Sequence, residues 1–316
     1  MGTQIAPLTA EARSLRASLD ASFPFESRFF ELPTAGREGA ALHYVDEGPS
    51  DGSAPTVLCV HGNPTWSFYW RRLVDELSGE ARVVAPDHLG MGLSSRAPGG
   101  VRLAEHGANL VALVDALDLR NVTLVCHDWG GAIGFGAALA RPDRFDGFVV
   151  TNTAAFPSGM MPRRIAACRI PGLGRLAVQG GNAFVRAALR MTTVVPLSAD
   201  ARRGLLAPYG SWARREQVWR FVEDIPMRPE HPSWNDLVGI ADRLESLRGL
   251  PMEIVWGMRD WCFSPSFLAK WRERFPGAAV TELPGAGHYV MEDAPESVAL
   301  ATRRVLGAAA SQRSRA

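Results

Sequence analysis

An aspartate stands where an apolar strand meets a run of small residues. Segment 122–126 is apolar and β-branched, which predicts a buried parallel strand, and 132–140 predicts a helix of small residues. Asp128 lies in the tight turn between them, the context of a nucleophile elbow, where serine is the usual occupant. A carboxylate nucleophile attacks carbon and leaves an ester on the enzyme. We therefore expect displacement or ring opening by Asp128, with a plain turn aspartate as the alternative.

A second acid and then a histidine follow Asp128 later in the chain, and both could act with it. His288 lies in the glycine-containing segment 285–289 after the last predicted strand, and glycines permit the tight backbone that would direct its imidazole to the elbow. A base needs an orienting acid, and Asp260 follows the strand predicted over 252–256. Nucleophile, acid and histidine thus follow the chain order of α/β-hydrolases, which predicts a triad of Asp128, Asp260 and His288.

Two residues are candidates for stabilising negative charge beside that triad. Asn63 follows a glycine loop, and Trp129 follows the nucleophile, so their backbone N–H groups would form an oxyanion hole. Their side chains add an amide donor and an indole donor, which suit a halide or carboxylate leaving group. Asn63 as a turn former and Trp129 as a packing residue are the simpler interpretations.

Strands and helices alternate along most of the chain, which predicts an α/β protein with a mainly parallel sheet. Ligands in such sheets bind at the carboxyl ends of the strands, where the candidate residues fall. A helix is predicted at the amino terminus over 8–22, with Thr9 as its N-cap. Further helices are predicted over 66–77 and 103–117. The eight predicted strands cover 27–32, 41–46, 56–60, 82–85, 122–126, 148–152, 252–256 and 279–283.

Between 155 and 235 this alternation stops, and proline-broken helical patterns replace it. An insertion between two sheet strands has the position of a cap over an active site, so we call 155–235 the cap segment. Residues 23–154 and 236–308 would form the core, and 1–22 an N-terminal extension. Most large apolar side chains of the cap segment would be its own core, while a few could line an apolar slot. These side chains are Met160, Met161, Phe184, Met191, Trp212, Trp219, Phe221 and Met227.

Charge and composition narrow the classes of function. The chain has 316 residues, 47% hydrophobic and 21% charged, with a net charge of +1, which argues against a nucleic-acid binder. Four widely spaced cysteines indicate neither a disulfide framework nor a metal site, and no cofactor is expected. No signal peptide or transmembrane segment is predicted, so a cytoplasmic protein is the default. The cap segment holds twelve arginines and five acidic residues, which leaves docking to an acidic partner or a membrane surface open.

Two loops resemble those of the haloalkane dehalogenase group of α/β-hydrolases. They are the His-Gly-Asn-Pro-Thr-Trp segment 61–66 and the His-Asp-Trp-Gly-Gly segment 127–131, and the resemblance extends over about 23–306. It implies an α/β-hydrolase fold, with a mostly parallel eight-stranded sheet flanked by helices and an inserted helical cap. Cys126 departs from the glycine that many relatives carry there, although both residues are small.

One subgroup is more similar still, the OleB-type β-lactone decarboxylases of bacterial long-chain olefin biosynthesis. The similarity lies in segments 152–156, 182–188, 221–226 and 259–263. It implies that cis-3,4-dialkyl oxetan-2-ones are converted to cis-alkenes and carbon dioxide, in assembly with the enzymes that make the lactone. A haloalkane dehalogenase with the same residues is the alternative. An epoxide hydrolase would want two cap tyrosines, and the cap segment has only Tyr209. A non-catalytic partner protein is a further alternative. The complete triad argues against it, because such a protein would be expected to lack Asp128 or His288.

Overall fold

Eight strands form one sheet in the computed structural model, which describes residues 10–17, 19, 22–33 and 37–315. The strand order is β1-β2-β4-β3-β5-β6-β7-β8, and only β2 runs antiparallel to its neighbours. The predicted eight-stranded, mostly parallel sheet is therefore confirmed. The strands are Arg28–Glu31 (β1), Ala41–Glu47 (β2), Thr56–Val60 (β3), Arg82–Pro86 (β4), Val122–Asp128 (β5), Phe145–Thr153 (β6), Met252–Gly257 (β7) and Ala279–Leu283 (β8).

Helices cover both faces of the sheet because its strands are apolar on both sides. Leu58 and Leu124 belong to one buried cluster, whereas Val57 and Val125 belong to the other, as the two-residue period of a strand requires. The helices are Ala10–Ala17 (α1), Arg71–Leu77 (α2), Leu103–Ala116 (α3), Trp129–Ala140 (α4), Arg163–Ala167 (α5), Leu173–Arg175 (α6), Ala183–Met191 (α7), Ala199–Leu206 (α8), Glu216–Glu223 (α9), Trp234–Arg243 (α10), Pro265–Arg274 (α11), Val290–Asp293 (α12) and Pro295–Arg313 (α13).

The amino-terminal part of the chain is described only in part. Helix α1 lies within the predicted helix over 8–22 but is shorter, since Leu19 and Ser22 are turn residues, and the predicted N-cap Thr9 lies outside the described residues. After it, Phe23 is fully buried, and its ring centroid lies 5.3 Å from that of Trp66. The first residues of the predicted core therefore contact the loop that carries Asn63.

The segment between β6 and β7 is helical, as predicted for the cap segment. It contains α5 to α9 and a π-helical turn at Leu176–Gly180. The predicted boundary at 235 falls inside α10, which packs against α4 of the core, where Ile240 faces Gly136. The division into core and cap at 154/155 and 235/236 stays a prediction. Among the described residues, no helix is long and apolar enough to cross a bilayer.

Candidate active site

The backbone at Asp128 is strained, and glycines around it make the strained turn fit. Asp128 ends β5 and directly precedes α4, with φ 53° and ψ −124°, a conformation that non-glycine residues rarely adopt. A Cβ atom at Gly62 would collide with the Asp128 carboxylate, and one at Gly130 would collide with the Val60 carbonyl. The Thr153 hydroxyl donates to the Asp128 carbonyl and ties the turn to β6. The sharp turn directs the carboxylate away from the strand at the carboxyl edge of the sheet.

The three residues of the predicted triad lie together. His288 Nδ1 is 2.7 Å from Asp260 Oδ2, and its Nε2 is 3.7 Å from Asp128 Oδ2. A carboxylate can only accept, so Nδ1 carries the proton that Asp260 binds. Phe263 stacks on the imidazole at 5.7 Å between ring centroids and an interplanar angle of 15°. The imidazole is thus held between an acid and the candidate nucleophile.

The acid at Asp260 is itself fixed by groups that lie far away in the sequence. The Asn152 side-chain amide donates to Asp260 Oδ2 at 2.9 Å, and the Cys262 backbone N–H donates to Oδ1 at 2.6 Å. Asn152 Oδ1 accepts from the Gly257 N–H at 2.8 Å, which locks the amide orientation. The sequence places Asn152 at the end of the predicted strand 148–152 but indicates no contact for it. The contact arises because β6 lies next to β7 in the sheet, and the local sequence pattern does not contain that order.

The predicted anion donors surround the carboxylate of Asp128 itself. The Asn63 N–H donates to Asp128 Oδ1 at 2.6 Å, and the Trp129 N–H also bonds the carboxylate. The Asn63 side chain contacts the cap segment, because its Nδ2 donates to the Val218 carbonyl at 3.0 Å. An amide nitrogen has two hydrogens, so one remains for a ligand. The Trp129 indole N–H has no acceptor among the described residues, and its ring lies 5.2 Å from that of Phe221.

Burial and charge act in opposite directions on the ionisable groups. Burial raises the pKa of Asp128, while the charge of His288 and the N–H groups of Asn63 and Trp129 partly oppose it. Burial alone would lower the pKa of His288, but the carboxylates of Asp260 and Asp128 outweigh it and raise that pKa. The site therefore favours an imidazole that keeps its proton beside a carboxylate that is poorly solvated, a combination typical of functional sites.

An apolar cavity of about 470 Å³ opens over these groups. Asp128, His288, Asn63 and Trp129 line it together with the polar side chains of Ser158, Arg164 and Thr192, whereas Asp260 lies behind His288. Of the eight apolar cap side chains named from the sequence, Met160, Met161, Phe184, Met191 and Met227 line the cavity. Phe221 instead packs beneath Trp129 and stacks on His106, and the other two, Trp212 and Trp219, lie outside the cavity lining. An enclosed apolar space with a few convergent polar groups is the usual form of a small-molecule site.

Comparison with known proteins places this geometry in a family. Residues 55–295 match the alpha/beta hydrolase fold family. The chain belongs to that family. The chain is 39% identical to a cis-3-alkyl-4-alkyloxetan-2-one decarboxylase of Shewanella oneidensis, over 89% of this chain and 88% of the relative. It is 41% identical to a protein of the same name from Xanthomonas campestris, over 85% of this chain and 93% of the relative.

More distant relatives of this chain are haloalkane dehalogenases. Haloalkane dehalogenase 2 of Mycobacterium tuberculosis is 34% identical over 88% of this chain and 94% of its own length. The solved structure of haloalkane dehalogenase DatA from Agrobacterium tumefaciens superposes with a TM-score of 0.79 at 26% identity, covering 92% of this chain and 99% of that one. Both the predicted α/β-hydrolase fold and the predicted order of similarity, decarboxylases before dehalogenases, are confirmed.

Proposed function

We propose that this protein converts cis-3,4-dialkyl β-lactones to cis-alkenes and carbon dioxide, with Asp128 as the nucleophile. The observation that carries the proposal is the elbow carboxylate beneath an apolar cavity, with two anion donors at its side. Relatives named as oxetanone decarboxylases, at 39% and 41% identity over most of the chain, support this substrate class. Since a β-lactone is a strained ring, another enzyme must form it first, and we propose that the two act in sequence.

In the first step, Asp128 attacks the ring carbon that bears the ring oxygen. A new carbon–oxygen bond forms with inversion, and the bond between that carbon and the ring oxygen breaks. The ring oxygen and the former carbonyl become a free carboxylate, which needs donors in an apolar space. Trp129 Nε1 and the remaining amide hydrogen of Asn63 supply them. The substrate is then an ester of Asp128.

In the second step, the carboxylate leaves as carbon dioxide. The bond from the neighbouring carbon to the carboxylate breaks, its electrons form the double bond, and the ester bond to Asp128 breaks on the opposite face. Inversion followed by anti elimination turns a cis lactone into a cis alkene, and no water is consumed. His288 stabilises the departing Asp128 carboxylate, since the carboxylates of Asp260 and Asp128 raise its pKa and so favour the charged imidazolium form. Asp260 holds that imidazole in place.

A dehalogenase would use the same residues but a different final step of the reaction. Asp128 would displace halide from carbon, and His288 would then activate water to hydrolyse the ester. The identity of 34% to a dehalogenase keeps this second candidate open to test. An epoxide hydrolase is less well supported, because the Tyr209 hydroxyl is buried and donates to the Thr65 carbonyl instead of lining the cavity.

Oxygen isotope incorporation separates the two candidates. The purified protein is incubated in H₂¹⁸O with a cis-3,4-dialkyl oxetan-2-one and, separately, with 1-bromobutane. We expect alkene and carbon dioxide from the lactone, with no ¹⁸O in the peptide that contains Asp128, because the ester is broken by elimination. Mass spectrometry of that peptide after many turnovers makes the measurement.

Two results would contradict the proposal in different ways. Progressive labelling of Asp128 during alkene formation would require hydrolysis of the ester and would refute the water-free route. Labelling with halide release, and no reaction with the lactone, would make the protein a dehalogenase. Asp128→Asn, checked by mass for deamidation, is the control that should neither turn over nor take up label.

A further inference from the structure

The outer face of the cap segment exposes large apolar side chains next to one another. In the described part of the chain, seven large hydrophobic side chains are exposed, and four of them fall on this face. We call these four the cap apex. They are Ile170, Leu173, Leu176 and Trp212, with exposed fractions of 48%, 67%, 61% and 45%. A surface of this kind is unusual for a protein that meets only water.

The local helical geometry makes the cap apex continuous. Leu173 and Leu176 are three residues apart and so share one face of the α6 and π-helical stretch, whose opposite face buries Gly174 and Val178. The side chains of Leu176 and Trp212 both flank Gly180, where a Cβ atom would lie 3.2 Å from each. The side chains of Leu173, Leu176 and Trp212 therefore project from the cap segment as one apolar patch, and the exposed Ile170 lies three residues before Leu173 in the chain.

The stretch of chain that carries three of the four cap apex side chains is rich in arginine and contains no acidic residue. Residues 147–199 contain no Asp or Glu, but they contain six arginines. Within the described ranges, none of these six forms an ion pair. One guanidinium, that of Arg175, lies 5.8 Å from the Trp212 ring centroid. The six are Arg163, Arg164, Arg169, Arg175, Arg186 and Arg190.

We infer that the cap apex docks onto the surface of a lipid bilayer that contains anionic lipids. Exposed leucines and a tryptophan bury their apolar parts at the boundary of headgroups and acyl chains, and tryptophan prefers that depth. The arginines of this stretch, which form no ion pair with an acid among the described residues, gain from the negative surface potential of the same membrane. An apolar centre with arginines on the same stretch of chain matches this partner in both respects.

The position of the cap apex gives this docking a use. Arg164, Ile165 and Cys168 line the cavity, and Ile170 follows them on the same stretch of chain. The outer wall of the cavity thus adjoins the docking surface, so a hydrophobic substrate dissolved in the bilayer could enter without crossing water. The docking itself is independent of the proposed reaction, because it depends on the outer surface of the cap segment alone.

Vesicle co-sedimentation of the full chain tests this inference. Vesicles of phosphatidylcholine and phosphatidylglycerol in equal amounts should bind the protein more tightly than pure phosphatidylcholine vesicles, and added salt should weaken that binding. Leu173→Asp should reduce the partition coefficient at least about tenfold, since burying one leucine changes binding by that order. Leu300→Asp is the matched control, because Leu300 is 48% exposed on α13, and it should bind like the wild type.

A second pair of variants tests the arginines of this stretch. Arg163→Gln and Arg175→Gln should each weaken binding about fivefold, from about 1 kcal/mol per basic residue at such a surface. Unchanged melting temperatures would show that all variants are folded. Equal binding of the wild type to both kinds of vesicle, or equal loss in Leu173→Asp and Leu300→Asp, would overturn the inference. A third result would also overturn it, namely a wild type that binds no vesicle and sediments as a dimer, if Leu173→Asp dissociates that dimer. The patch would then contact a second copy of the chain.

Discussion

Asp128 carries a charge in surroundings that solvate it poorly. Burial raises its pKa, and only the imidazolium of His288 and two backbone N–H groups offset this. A carboxylate that lacks solvent is a stronger nucleophile, because no water shell must be removed before attack. The same lack of solvent makes the charged form unfavourable in the folded protein. Reactivity and stability should therefore respond in opposite directions when Asp128 is replaced.

Asp128→Asn should abolish turnover and raise the melting temperature at neutral pH. A folded-state pKa raised above the unfolded value lowers stability once the pH exceeds the folded pKa, and it has no such effect below the unfolded pKa. The advantage of Asp128→Asn should therefore shrink as the pH falls. Melting curves of both proteins between neutral and mildly acidic pH measure it. A variant less stable than the wild type at neutral pH would contradict this account of the site.

Trp129→Phe should lower kcat about 10²–10³-fold, the usual effect of losing one preorganised donor. The change keeps an aromatic ring against Phe221 but removes the indole N–H, which has no acceptor among the described residues. Trp219→Phe is the matched control, because Trp219 is also in partial contact with the core cluster but does not line the cavity. Wild-type turnover by Trp129→Phe would show that Trp129 serves packing alone.

At the level of residues, the chain order and the positions of strand ends were sufficient to predict which side chains of the candidate site lie together. Asp128, Asp260, His288, Asn63 and Trp129 were all named from the sequence, and the structure places them around one point, although their roles stay proposals. The supporting contacts could not be predicted in the same way. The amide of Asn152 reaches Asp260 across 108 positions, and such a contact depends on sheet order, which local patterns do not contain.

At the level of elements, strands were easier to predict than the starts of helices. The predicted strand 56–60 coincides with β3, because a buried strand is a largely apolar run. The predicted strand 279–283 coincides with β8, although this edge strand is only partly buried. The predicted helix 66–77 was wrong in its first turn, which is a 3₁₀ helix at Ser67–Trp70. The buried Asp87 carboxylate accepts the Ser67 N–H at 2.6 Å there, a tertiary contact that periodicity cannot show.

The elements of the cap segment reach into the site through backbone groups. The Thr192 carbonyl after α7 accepts the Tyr289 N–H at 2.9 Å, next to His288, and the Val218 carbonyl in α9 accepts from Asn63. Two of the proposed functional residues are thus positioned partly by the inserted helices. Any movement of α7 or α9 would therefore change the geometry of the site as well as the access to it.

At the scale of the whole molecule, charge and apolar surface are unevenly distributed. The composition showed twelve arginines among 155–235, but it could not show which of them face solvent beside Leu173 and Trp212. It likewise indicated that a few methionines contact a ligand, without indicating which ones. Both answers required the path of the chain, because each depends on which side of a short helix turns outward.

The cavity as a whole should select substrates by the length of their alkyl chains. Its lining is mostly apolar and includes four methionines and six phenylalanine or tryptophan side chains, so each buried methylene should add up to about 0.8 kcal/mol of binding until the space is full. Ala187 lines the cavity from α7, and Ala187→Phe would fill part of it. Values of kcat/KM across a series of cis-dialkyl β-lactones should rise with alkyl chain length in the wild type. In Ala187→Phe they should reach their maximum at a shorter chain length and then fall. The control Ala308→Phe places the same ring at an exposed position on α13 and should leave the series unchanged. A flat dependence in the wild type would mean that the alkyl chains lie outside this cavity.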